Sequence, residues 1–169
     1  IKEIQSILDT PLQIDSTDPK VIESGLRVIN GKAIVNSVNG EDKTLENILP
    51  IVKKYGASVV GLTLDENGIP ESAEERFRIA EKIVKKALEY GISKEDIYID
   101  CLTLTAAAQQ EGVKETLKAI TIVKEKLNVK TILGVSNVSF GLPNRELINK
   151  TFLAAAIYTG LDLIIMNPL

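Results

Sequence analysis

The sequence contains no histidine and no tryptophan, and only 4% of its 169 residues are aromatic. Without histidine the chain cannot build the Ser-His-Asp or Cys-His nucleophilic centres, and most types of zinc site are excluded as well. Any chemistry must therefore rely on carboxylates, amides, hydroxyls, lysine, arginine or a cofactor.

Cysteine, basic charge and long apolar segments are also scarce. Cys101 is the only cysteine, so no internal disulfide can form, which is typical of a cytoplasmic protein. The formal net charge is −3 and lysines alternate with glutamates, which argues against a nucleic-acid partner. No apolar segment approaches the roughly 20 residues that a membrane helix needs. The length and composition predict a single globular domain over residues 1–169.

The chain does contain a regular alternation of β-rich segments and amphipathic helices. The β-rich segments are residues 12–16, 32–37, 57–64, 96–100, 130–137 and 161–167. Most are continuously apolar, as in parallel strands that are buried on both faces. With helices predicted before and between them, the order is one helix, five strand–helix units and a sixth strand. Such an order predicts a parallel sheet with right-handed crossovers.

Local signals mark the ends of several helices. Asp18 followed by Pro19 predicts the start of one helix, and the capping box Ser72-x-x-Glu75 predicts the start of another. Pro50 lies inside a third helical segment, where it predicts a kink or a short break.

Two architectures agree with this order: an open doubly wound sheet and an eight-stranded β/α barrel. Five β-rich segments end on polar residues, namely Asp15-Ser16, Asn36-Ser37, Asp100, Ser136-Asn137 and Asn167. The carboxyl ends of parallel strands share one edge, which is where barrel active sites lie. An open sheet instead binds its ligand at one switch point, often with a glycine-rich phosphate loop, and no such motif is present. The pattern favours the barrel.

A polar residue at a strand end often caps the helix that follows it. A better-placed cap follows three of these residues: Asp18 follows Asp15, Asp42 follows Asn36, and Asn144 follows Asn137. Carboxylates and amides at one edge suit the amino-pyrimidinone edge of a pterin or purine, because they accept paired N–H donors. A metal site built from two aspartates without glutamate or histidine would be weak.

Four segments carry a resemblance to a known family. They are "IDST" at 14–17, "IVNS" at 34–37, "YID" at 98–100 and "GVSNVSFGLPNRELIN" at 134–149. Together they resemble the pterin-binding methyltransferase family, which includes the folate-binding module of cobalamin-dependent methionine synthase and the methyltetrahydrofolate:corrinoid/iron–sulfur protein methyltransferase. The resemblance covers nearly the whole chain.

The resemblance implies a TIM-type β/α barrel, present here as six of its eight strands, with the first two strands and the last helix absent. It implies that Asp15, Asn36 and Asp100 hydrogen-bond the pterin ring of methyltetrahydrofolate. Asn137 matches the residue that reaches the methyl-bearing nitrogen N5, and Arg145 matches an arginine near the same pocket.

The implied reaction transfers the methyl group to cob(I)alamin, a corrinoid carried by a partner domain or protein. Whether the intact protein forms a homodimer is left open by the sequence. Two other functions also remain: a pterin enzyme similar to dihydropteroate synthase, and a non-catalytic α/β binding scaffold. A scaffold would expose an apolar patch on a helix, whereas the predicted helices have charged outer faces.

Overall fold

The structure is a computed structural model that describes residues 1–167. Helices and strands alternate along the chain: α1 Lys2–Gln5, β1 Gln13–Asp15, α2 Pro19–Leu26, β2 Ile34–Val38, α3 Asp42–Tyr55, β3 Ser58–Leu62, α4 Ala73–Glu89, β4 Ile97–Asp100, α5 Gln110–Leu127, β5 Lys130–Gly134, α6 Arg145–Tyr158 and β6 Leu163–Ile165. Short 3-10 helices, Lys94–Asp96 and Val135–Ser139, precede β4 and follow β5. The predicted order of elements is confirmed.

All six strands form one parallel sheet in the order β1-β2-β3-β4-β5-β6. One row of register partners crosses four strands through Asp15, Asn36, Val60 and Tyr98. The register shifts between Asn36 and Val38, so β2 is irregular where it reaches the edge of the sheet. Residues in one row share a face of the sheet, and residues two apart along a strand share it too.

The two faces of the sheet have different surroundings. One face packs against the helices in a single large core, where Val35, Val59 and Leu133 meet Ile48 and Ile83. The opposite face holds a separate apolar cluster of Val60, Tyr98 and Ile132, against which Ile34, Leu62 and Leu163 pack. A doubly wound sheet would carry helices on both faces and would reverse its strand order. Sequential order with one helical layer is a β/α-barrel arrangement, so the predicted fold class is confirmed.

Most of the predicted helix signals are confirmed. Asp18 Oδ1 accepts from the Lys20 N–H (2.8 Å), and Ser72 Oγ accepts from the Glu75 N–H (3.3 Å). No helix in the described part of the chain is long and apolar enough to cross a membrane.

Two expectations about α3, a short break at Pro50 and a cap at Asp42, are wrong. Pro50 does not break this helix, which runs from Asp42 to Tyr55, and the alternative of a kink there stays a prediction. Since Pro50 is exposed, the carbonyl that lacks its helical donor there can bind water instead. Asp42 is the first helical residue, and Glu41 occupies the N-cap position before it.

The carboxyl ends of the strands also differ from expectation. The segment 130–137 is not strand throughout: β5 ends at Gly134, and the chain continues as the 3-10 helix Val135–Ser139. Asn137 is therefore carried by a short helix at the edge of the sheet. β3 and β6 are likewise shorter than the segments 57–64 and 161–167.

Candidate functional site

Asp15, at the carboxyl end of β1, and Asn36, in the middle of β2, form a hydrogen-bonded pair. Asn36 Nδ2 donates to Asp15 Oδ2 over 3.0 Å. Asp15 is exposed and Asn36 half-buried, so both side chains reach the edge of the sheet. The pair shares a row with Val60 and Tyr98, which places it on the face opposite the helices. It presents carboxylate and amide oxygens as acceptors there.

Asp100 ends β4 on the same face, two residues after Tyr98. The residue is only 8% exposed, and burial raises the pKa of its carboxyl group to about 7. The Leu102 N–H donates to Asp100 Oδ1 (2.8 Å) and partly offsets this rise. On the main chain, the Thr63 N–H donates to the Asp100 carbonyl oxygen (3.0 Å). The carboxyl group is thus held rigidly and is poised between its two protonation states near neutral pH.

Asn137 lies on the 3-10 helix Val135–Ser139 and is exposed. Contacts from the loop after β4 hold this helix. The Ala106 N–H donates to the Val138 carbonyl oxygen (2.9 Å), and the Thr105 hydroxyl donates to the Phe140 carbonyl oxygen (2.6 Å). The loop that follows Asp100 and the helix that carries Asn137 are therefore tied together.

Arg145 binds the same 3-10 helix from the first turn of α6. Its Nε donates to Ser139 Oγ (2.9 Å), and its Nη2 donates to the Ser136 carbonyl oxygen (3.2 Å). The guanidinium carbon lies 4.8 Å from the centre of the Phe140 ring. Asn144 occupies the N-cap position of α6 as expected, but in a left-handed conformation and without a side-chain capping bond.

The structure brings Asp15 and Asn36 into direct contact and places Asp100 on the same face of the sheet. Asn137 and Arg145 follow the next strand and are linked through Ser136 and Ser139. Sequence reasoning did not single out Ser139, whose side chain is fully buried and accepts from Arg145. Its place in the segment 134–149, which carries part of the family resemblance, was the available signal.

A cleft of about 500 Å³ beside this helix was also missed. It is lined by Ser136, Arg145, Glu146, Asn149, Lys150, Met166 and Asn167. The Oδ1 atom of Asn149 is buried and accepts no hydrogen bond within residues 1–167. The cleft therefore adds polar and basic groups to the edge that carries Asn137.

Taken together, a parallel sheet with one outer layer of helices and a polar rim at its strand ends defines a β/α-barrel enzyme architecture. The chain belongs to the pterin binding enzyme family, whose model matches residues 1–167.

Two relatives show which members the chain is similar to. The methionine synthase of Mycobacterium leprae (strain TN) is 35% identical over 181 residues, covering 97% of this chain and 15% of that protein. The methylcorrinoid:tetrahydrofolate methyltransferase of Eubacterium limosum is 28% identical over 170 residues, covering 98% of this chain and 62% of that protein. The chain thus spans less than two thirds of either relative.

Similar solved structures include dihydropteroate synthases. The enzyme from Coxiella burnetii in complex with pteroic acid superposes with a TM-score of 0.71 at 15% identity, covering 96% of this chain and 64% of that one. The Yersinia pestis enzyme with a pterine-sulfa conjugate gives a TM-score of 0.75 at 13% identity, covering 96% and 65%. At this identity the likeness shows the fold alone.

Proposed function

We propose that this chain binds methyltetrahydrofolate at the rim and transfers its N5-methyl group to a corrinoid on a partner domain or protein. One observation carries the proposal: Asp15, Asn36 and Asp100 lie on the same face of the sheet at its carboxyl edge. Similarity to a methionine synthase and to a methylcorrinoid:tetrahydrofolate methyltransferase supports methyl transfer over other pterin chemistry.

The donor set of the rim fits a pterin ring. The ring edge carries an amide N–H beside an exocyclic amine, and a carboxylate accepts both together. Asp100 supplies such a carboxylate in a buried position, where a hydrogen bond to a charged group is strong. Asn36 has its Nδ2 directed at Asp15, so its Oδ1 is the acceptor that it offers to the ring. An analogue that lacks these donors would leave buried acceptors unpaired and would bind poorly.

Asn137 acts at the reacting nitrogen in this proposal. As the bond between the methyl carbon and N5 breaks, the bonding electron pair stays on N5, which leaves more easily when it is protonated. An asparagine amide accepts a hydrogen bond from a protonated nitrogen and donates one to an unprotonated nitrogen. It therefore stabilises N5 as charge changes in the transition state. The corrinoid on the partner supplies the nucleophile.

Arg145 supports this step by holding the 3-10 helix that carries Asn137. Its contacts to Ser136 and Ser139 fix both ends of the turn that carries Asn137. A turn held in this way presents the Asn137 amide from a fixed backbone position, which lowers the entropy lost when the amide orients on the substrate.

Calorimetric titration of the full-length protein with methyltetrahydrofolate tests the proposal. We expect saturable binding by the wild type and a loss of affinity in the double variant Asp15→Ala/Asn137→Ala. Absence of binding, or binding that the double variant leaves unchanged, would contradict the proposal. Condensation of p-aminobenzoate with a pterin pyrophosphate would instead identify a dihydropteroate synthase activity.

A further inference from the structure

The guanidinium of Arg76 is buried beneath the carboxyl end of β4. Arg76 lies on α4 and is 0% exposed. Its Nε donates to the Pro70 carbonyl oxygen over 2.9 Å. Its Nη1 lies 3.1 Å from the Cys101 carbonyl oxygen, 3.2 Å from that of Leu102 and 2.9 Å from Thr116 Oγ1. Because Nη1 carries two hydrogens, these three acceptors share them.

Burial of this cation is poorly compensated. The hydrogen-bond acceptors around Arg76 in residues 1–167 are neutral carbonyl and hydroxyl oxygens. Burial lowers the pKa of the guanidinium, and the charge of Glu115 offsets this only in part. Its Nη2 has no hydrogen-bond partner in that range. A buried charge with neutral partners is a weak way to stabilise a fold, and a well-packed apolar side chain often serves as well. The contacts of Arg76 therefore indicate a role other than general stabilisation of the fold.

Arg76 holds the turn that follows Asp100. Leu102 has a φ of 59°, a left-handed conformation that a leucine rarely adopts. The Leu102 N–H donates to Asp100 Oδ1, and the Leu102 carbonyl oxygen lies within hydrogen-bond distance of both Arg76 Nη1 and Thr116 Oγ1. One strained residue thus connects the buried guanidinium with the rim carboxylate.

We propose that Arg76 is a positioning residue for Asp100: through the Cys101 carbonyl oxygen it holds the Cys101–Leu102 peptide, whose Leu102 N–H fixes Oδ1, so that Oδ2 is directed to the pterin ring. The inference rests on the proposed function, because it assumes that Asp100 binds the ring. Arg76 itself does not contact the ligand and acts only through the Cys101–Leu102 peptide.

Loss of the Arg76 contacts should change the pKa of Asp100, an effect that a general loss of stability would not produce. The Leu102 N–H is the group that lowers the pKa of Asp100 against the effect of burial. A looser Leu102 weakens that bond and moves the pKa of Asp100 further upward. The other charged or titratable groups around this end of β4 and around Arg76 are Arg76, Cys101, Tyr98, Glu115 and Lys130, whose ammonium lies 5.3 Å from the Tyr98 ring centre. Substitution at Arg76 leaves the other four in place.

The test measures methyltetrahydrofolate affinity between pH 5.5 and 8.5 in the full-length protein, for the wild type and four variants. Arg76→Lys keeps the positive charge but lacks the fork that reaches Pro70 and the turn together. Thr116→Val leaves Arg76 unchanged and nearly preserves the side-chain volume at position 116. It removes the hydroxyl that contacts the Leu102 carbonyl oxygen. Arg78→Met is the matched control, since Arg78 is exposed on the same helix. Asp100→Asn removes the carboxylate itself.

We expect Arg76→Lys to bind about tenfold more weakly at pH 7, the effect of losing roughly one hydrogen bond to a charged group. Its affinity should also begin to fall at a higher pH than in the wild type. Thr116→Val should change both quantities in the same direction by less, and Arg78→Met should change neither.

This design distinguishes failure of the proposed function from failure of the positioning role. If the wild type does not bind methyltetrahydrofolate, the proposed function fails. If the wild type binds and folded Arg76→Lys shows unchanged affinity and an unchanged pH midpoint, the positioning role is overturned, even if its melting temperature falls. Should Arg76→Lys not fold, Thr116→Val decides by the same criterion.

Discussion

Asn36 Nδ2 donates to Asp15 Oδ2 over 3.0 Å, and the two residues are register partners, Asp15 at the end of β1 and Asn36 within β2. This bond sets the orientation of the Asn36 amide, whose nitrogen faces Asp15. The pair therefore offers two oxygens to a ligand at fixed positions, Asn36 Oδ1 and Asp15 Oδ1. Such preorganisation lowers the entropy lost when a ligand binds.

Asp15→Asn should weaken methyltetrahydrofolate binding by about 10- to 100-fold, because a hydrogen bond to a charged group contributes roughly 1.5–3 kcal/mol. The free energy of unfolding should change by less than about 0.5 kcal/mol, since Asp15 is exposed. Isothermal titration calorimetry and urea unfolding measure the two effects. Asp96→Asn is the control: at the amino end of β3, Asp96 accepts from Ser58 Oγ (2.9 Å) and pairs with Lys32 Nζ, and the variant removes that ion pair, so it should lose a little stability and keep its affinity. Equal affinities for wild type and Asp15→Asn would contradict a ligand-binding role.

Asp100→Asn should stabilise the ligand-free protein. The pKa of Asp100 is about 7 in the folded state against an ordinary value of 3.8, so its contribution to stability is complete below pH 3.8 and is lost as the pH rises through 7. Above pH 7 the buried carboxylate costs roughly 4 kcal/mol. The variant has no such cost, and its advantage should grow by about 2 kcal/mol between pH 5.5 and 8. Urea unfolding at both pH values measures it, and an advantage that does not depend on pH would be inconsistent with a buried, titrating carboxyl group.

Affinity for the pterin should also depend on the protonation state of Asp100, but it should rise with pH where the stability falls. The ring donors need the ionised carboxylate, so binding should be constant above pH 7 and should fall as the pH drops below it. The limiting slope is about tenfold per pH unit for a single proton. Calorimetric titrations at several pH values give the profile, and Asp100→Asn should bind weakly with no slope in this range. A wild-type profile that is flat between pH 5.5 and 8 would exclude Asp100 as the acceptor.

The sequence predicted the parallel sheet and the ends of several helices because each depends on local patterns. Continuous apolar segments such as 57–64 indicated buried strands, and Asp18 and Ser72 act as local caps. The true end of β5 was not predictable in this way, since apolar residues continue past Gly134 into the 3-10 helix. That helix is held by Ala106, which is distant in sequence, and by Arg145 from the helix that follows it.

The burial of Arg76 was not predictable for the same reason, because its partners are distant in sequence. On an amphipathic helix an arginine reads as a surface residue, and only the tertiary structure shows its buried contacts to Cys101 and Leu102. The pairing of Asp15 with Asn36 also depends on strand register, which the sequence did not fix. The polar strand ends themselves were visible, and they located the rim.

Gly134→Ala should disturb Asn137 without unfolding the protein. A methyl group added at Gly134 would lie 2.9 Å from Asn137 Nδ2, and the movable amide would have to shift. We expect slower methyl transfer with a stability change below about 1 kcal/mol. Gly61→Ala provides the contrast, because its added methyl would lie 2.7 Å from Ile83 Cγ2 in the core. That variant should lose about 1–3 kcal/mol of stability and keep its affinity. Unaltered transfer by Gly134→Ala would argue against a role for the Asn137 amide.

Single-turnover methyl transfer is the most direct test of the whole account. The full-length protein is mixed with methyltetrahydrofolate and cob(I)alamin, and methylcobalamin formation is followed by absorbance for the wild type and Asn137→Ala. The account predicts rapid transfer by the wild type and transfer slowed by about 10²-fold or more in the variant, with pterin affinity largely retained. Absence of methylcobalamin with the wild type, or equal rates for the two proteins, would contradict it.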